Sequence, residues 1–120
     1  MQRWFIGLFA LLGCGGTGTA DGGTPDAGSC TPLPSSCMSP APSYADMVEP
    51  IIETRCEGCH SAGHAGASWP LTTYGEVQTL ALEIQAEVRA CRMPEADAGQ
   101  LSSTQREELL DWLVCGAPDN

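Results

Sequence analysis

From Ser43 onward, apolar side chains recur every three or four positions, the spacing that places them on one face of a helix. Tyr44, Met47, Val48, Ile51 and Ile52 predict a first helix over about 44–54, with Ser43 as its N-cap. Pro50 falls inside it and should disturb the helix or shift its start. Thr73-Tyr74-Gly75-Glu76 has the form of a capping box and opens a second helix carrying Val77, Leu80, Ala81, Ile84 and Val88. That helix should stop near Arg92, because Pro94 biases Met93 away from helical geometry. Ser102-Ser103-Thr104-Gln105 forms another capping box, and the third helix presents Leu109, Leu110 and Leu113 before closing on Gly116 and Pro118. A polar loop covering Ser61 to Ala67 and beyond separates the first two helices, and no alternating strand pattern of useful length occurs. The fold class expected is a small all-α domain of three to four helices over 43–120.

The pattern upstream is different. Met1-Gln2-Arg3 begins with a positive charge, and Trp4 to Leu12 is an apolar run too short to span a bilayer as a mature helix. This is the form of an export signal, expected over 1–13. Leu11-Leu12-Gly13-Cys14 resembles the lipobox of bacterial lipoproteins, in which cleavage before the cysteine leaves it as the acylated first residue. The resemblance makes Cys14 the lipidation site and the protein a membrane-anchored, exported lipoprotein of the cell envelope, facing the periplasm or the cell exterior. An ordinary signal, cut among the small residues that follow, is the simpler alternative and also exports the chain. Residues 15–40 contain 6 Gly, 4 Pro, 4 Ser and 4 Thr, with Leu33 and Met38 as their only large apolar side chains. Such a stretch cannot bury a core, so 14–42 is expected to be a flexible tether. Gly13-Cys14-Gly15-Gly16-Thr17-Gly18 matches a dinucleotide-binding pattern by spacing alone, with neither the strand before nor the helix after that such a site requires.

The formal charge of −10, with 5 Arg and Lys together against 15 Asp and Glu, argues against nucleic acid as a partner, since phosphate binding needs clustered cations. It suits a redox protein partner with a basic docking face, although acidity also simply keeps a small domain soluble.

The chemistry is concentrated where the first helix ends. Cys56-Glu57-Gly58-Cys59-His60 is the C-x-x-C-H attachment sequence for one covalently bound haem c (heme c). Two thiols one helical turn apart can add to the two vinyl groups on one porphyrin edge, and the next imidazole then reaches the iron. Two other readings use the same residues. A thioredoxin-like Cys-x-x-Cys would need a strand before it, and none precedes Cys56. A zinc site from Cys56, Cys59, His60 and His64 would have to use adjacent ligands, unlike a finger. His64 is otherwise an exposed loop residue or an alternative axial ligand.

Over about Tyr44 to Pro118 the sequence resembles the class I c-type cytochromes: a helix leading into C-x-x-C-H, a later Met93-Pro94 dipeptide, and a terminal amphipathic helix. The resemblance implies His60 as proximal iron ligand and Met93 as distal ligand, the soft thioether raising the reduction potential. Met93 as a gap-filling apolar residue is the plainer alternative, and Met47 and Met38 are weaker rivals as ligands. The connection from His60 to Met93 is short for the family, which implies an abbreviated distal wall.

Assigning Cys14 to lipid and Cys56 with Cys59 to haem leaves Cys30, Cys37, Cys91 and Cys115, which allow three disulfide connectivities in an oxidising compartment. The pairing expected is Cys91–Cys115, joining the ends of the second and third helices, with Cys30–Cys37 inside the tether. Trp69, Tyr74 and Trp112 are expected as haem-packing or core aromatics. The function expected is one-electron transfer, with no enzyme activity, no catalytic residue and no small-molecule substrate. The alternative is an open-site haem sensor or enzyme accessory domain in which Met93 does not ligate iron. Hydrolytic chemistry has no support, since Gly-x-Ser-x-Gly is absent and only two histidines exist.

Overall fold

A computed structural model describes residues 30–120, so the expected signal peptide, Cys14 and the tether up to residue 29 lie outside the described residues. The helical part begins where Ser43 was expected to cap it. The Ser43 hydroxyl accepts a hydrogen bond from the Asp46 amide at 3.2 Å. Tyr44–Val48 then forms a π-helical turn that passes into α1, Glu49–Arg55. Pro50 explains the widened turn, because it has no N–H to give to the preceding turn and its ring crowds the carbonyl four residues back. The Glu49 amide reaches Tyr44 O instead, and Pro50 sits in the first turn of α1, where a missing donor costs nothing.

The expected second helix divides in two: α2, Tyr74–Thr79, and α3, Ala81–Arg89. The Thr73–Glu76 capping box is present in both directions. Leu80, at φ −98° and ψ 13°, makes the break. The Thr79 hydroxyl donates to the Gly75 carbonyl at 2.7 Å, and such back-bonding bends a helix at this point.

α3 also ends earlier than Pro94 alone requires. Cys91 enters the left-handed region at φ 55°, its N–H donates to Val88 O at 3.1 Å, and the Arg92 N–H donates to Glu87 O at 2.9 Å. This is a Schellman termination with cysteine where glycine is usual. α4, Ser103–Val114, opens on the expected Ser102–Gln105 capping box and closes with the same motif on Gly116, at φ 85°. A short 3₁₀ turn, Ala96–Ala98, lies between α3 and α4. Every regular element among the described residues is helical, and none of these helices is long and apolar enough to cross a membrane.

Each helix contributes its apolar face to one core: Val48, Ile51 and Ile52 before and within α1, Val77 of α2, Ile84 and Val88 of α3, and Leu109, Leu110, Trp112 and Leu113 of α4. Trp112 is fully buried and satisfies its indole N–H on Pro118 O at 3.0 Å. Tyr44 lies between Trp112 and Tyr74, with ring centroids 5.4 Å and 5.0 Å away. The Tyr44 amide donates to the Asn120 side-chain oxygen at 2.8 Å, tying the start of the helical part to its end.

The disulfides correct the expected pairing. Cys30 is bonded to Cys91 and Cys37 to Cys115, in place of Cys91–Cys115 and Cys30–Cys37. Residues 30–42 are correspondingly not part of a free tether. The Thr31 amide donates to Arg89 O at 3.3 Å, Leu33 packs against the core, and Pro42 is buried. Closely spaced prolines keep this segment extended, so its cysteines reach the ends of α3 and α4 rather than each other.

Candidate haem-binding site

The C-x-x-C-H residues continue the turn that ends α1. Cys56 caps the helix, and the amides of Cys59 and His60 both donate to Cys56 O, at 3.1 and 3.0 Å. The following loop folds back on them. The Gly66 amide donates to Cys59 O at 2.9 Å, and the Leu71 amide donates to His60 O at 2.9 Å. Gly66 is required by close approach: a Cβ there would lie 2.7 Å from His60 Nδ1 and 2.9 Å from Cys59 O.

This wrapping sets the state of the imidazole. His60 Nδ1 lies 2.8 Å from the Trp69 main-chain oxygen. A carbonyl can only accept, so Nδ1 carries the proton and Nε2 keeps the lone pair in the neutral ring. A histidine held this way is ready to bind a metal through Nε2.

Cys56, Cys59, His60 and Met93 all line one cavity of about 510 Å³. The size is in the range of small-molecule and cofactor sites. Leu71, Leu80, Ile84, Val88 and Leu101 give it an apolar wall, with Trp69 and Pro94 also contributing. Its charged lining consists of Arg55, Glu83, Glu87 and Glu95. Cys56 is a free thiol, and burial pushes it up to about 11, so it stays protonated at neutral pH. Cys59 is disulfide-bonded. A porphyrin with an apolar face and a need for sulfur and imidazole donors fits this donor set and wall.

The rival ligands are placed elsewhere. Met38 and Met47 are exposed and do not line the cavity, and neither does the exposed His64. Among the described residues no group of three or more His, Cys, Asp or Glu side chains converges as a metal site, which leaves the zinc reading without a geometry. Tyr74 and Trp112 are core aromatics, as expected, whereas Trp69 is 57% exposed at the edge of the cavity.

Several functional positions were not evident from sequence. Gly66 and the Trp69 carbonyl act through loop geometry that no spacing rule reveals. Arg55 is the only arginine or lysine lining the cavity among the described residues, and its place directly before Cys56 was the available signal. Leu80, Ile84 and Val88 were read as core from their spacing, and they serve the cavity wall as well. No family model, curated protein or solved structure matches the chain.

Proposed function

We propose that the chain carries a single haem c in this cavity, joined by thioethers to Cys56 and Cys59, and works as a one-electron carrier. One observation supports the reading above the others: Met93, 33 positions beyond His60, lines the same apolar cavity as Cys56, Cys59 and His60. When bound, the haem supplies an iron that takes up and releases one electron. The chain's own residues do the rest. His60 offers Nε2 as proximal ligand because Trp69 O holds its Nδ1–H. Met93 offers a neutral thioether as distal ligand, which favours the reduced state. The leucine, isoleucine and valine wall excludes water and lowers the local dielectric. Attachment requires both sulfurs as thiols, so an external dithiol reductant must first open the Cys59 disulfide by exchange, giving two electrons and two protons to its sulfurs and ending as a disulfide itself.

Two disulfides among the described residues are compatible with an exported protein. In the same reading the chain is anchored by an acylated Cys14 and meets a redox partner with a basic face, attracted by the acidic surface. Carbon monoxide binding decides between carrier and open-site sensor. Ferrous protein matured with haem should resist carbon monoxide, and Met93→Ala should admit it and lower the reduction potential. Ready binding by the unsubstituted protein would replace the carrier with the open-site reading.

A further inference from the structure

Arg106 is the only charged side chain buried among the described residues, at 5% exposure. No carboxylate pairs with it there, since the one salt bridge found is Arg92–Glu87. A guanidinium without a counter-charge is costly to bury, and an apolar residue would fill the same space. Its hydrogen bonds show what it holds. Nη1 donates to the Val88 carbonyl at 2.8 Å, and Nη2 donates to Gln100 Oε1 at 3.2 Å. The other end of that amide, Gln100 Nε2, donates to the Pro94 carbonyl at 2.7 Å. One relay anchored in α4 therefore grips the chain at Val88 and again at Pro94, on both sides of Met93.

We propose that Arg106 and Gln100 are positioning residues for Met93, fixing the segment that presents its thioether to the cavity. The proposal rests on the reading of Met93 as distal ligand. A neutral thioether is a weak ligand, and its residence on a metal depends on how little freedom its loop has to lose. The relay supplies that restraint at the Met-Pro turn through the Pro94 carbonyl, and at the helix end through the Val88 carbonyl, which also accepts from the Cys91 amide. Arg is suited to the task because its planar fork can donate to two acceptors at once.

The test uses the full chain matured with haem. Arg106→Met can fail to fold, because it removes a buried guanidinium that joins α4 to the end of α3, so the primary variant is Gln100→Ala at an exposed position. It should retain covalent haem and the helical circular dichroism. Its ratio of Met93-off to Met93-on iron should rise about tenfold, the effect of one lost hydrogen bond. The readouts are the near-infrared band of methionine ligation and carbon monoxide uptake. In a Met93→Ala background, Gln100→Ala should change neither readout further. Band and uptake equal to the unsubstituted protein's would overturn the proposal, as would a further change in the Met93→Ala background. If the unsubstituted protein itself lacks the band, the Met93 reading has failed, and the positioning role falls with it.

Discussion

His60 Nδ1 donates its proton to the main-chain carbonyl of Trp69 at 2.8 Å, and that bond leaves Nε2 as the ring's only acceptor. The loop can make this contact because Gly66 lies against the imidazole without a side chain.

Gly66→Ala should therefore damage the site specifically. Its Cβ would fall 2.7 Å from Nδ1 and 2.9 Å from Cε1 of His60, so the loop or the ring must move. A loss of about 1–3 kcal/mol in unfolding free energy is expected, together with poor haem loading. Gly58→Ala is the control, since a Cβ there meets nothing within 4 Å. Equal stability of the two variants in denaturant titrations would contradict this account of the loop.

A tryptic map without reduction separates the observed disulfide pairing from the one expected from sequence. Cleavage after Arg55, Arg89, Arg92 and Arg106 separates Cys91 and Cys115 from the segment that carries Cys30 and Cys37. With the observed bonds, both small peptides stay attached to that segment. Recovery of the Cys91 and Cys115 peptides joined only to each other would restore the pairing expected from sequence. The bonds close sequence separations of 61 and 78 residues, so Cys37→Ser with Cys115→Ser should cost roughly 4 kcal/mol in the chain-entropy model.

The contrast between helices and disulfides shows what the sequence could carry. The capping boxes at Thr73–Glu76 and Ser102–Gln105 are local, involving residues three apart, and both form as read. The break at Leu80 depends on a hydroxyl choosing the Gly75 carbonyl, a competition that apolar spacing does not register. Cysteine pairing depends on where residues 30–42 run, and their glycine-poor, proline-rich end packs on the body although composition suggested a tether. At the site, the C-x-x-C-H residues and Met93 were visible because they are chemically distinctive. The relay from Arg106 through Gln100 was not, since an arginine on an amphipathic helix ordinarily faces solvent.

Acid should weaken the α2 cap. The Thr72 amide and hydroxyl donate to Glu76 at 2.7 and 2.8 Å, and the Thr73 amide adds a bond at 3.1 Å. These bonds, the Thr72 amide foremost, hold the Glu76 carboxyl below its usual range. A depressed folded-state value means that the contribution is fully present above the ordinary glutamate value of about 4.3 and is lost as pH falls through the folded one. Glu76→Gln retains a neutral capping residue, so its stability deficit should be visible near neutrality and shrink in acid. A deficit in urea titrations that stays constant across that range would show that the carboxylate charge is not what the cap uses.

The central claim, one covalent haem on Cys56 and Cys59, is tested most directly by the intact mass of protein produced in a host that matures c-type cytochromes, taken after acid-acetone extraction. The account predicts a red protein whose mass exceeds that of the processed chain by one haem, with Cys56→Ser and Cys59→Ser together abolishing the increment. A colourless protein at the mass of the unmodified chain, from a host shown to mature another c-type cytochrome, would contradict it.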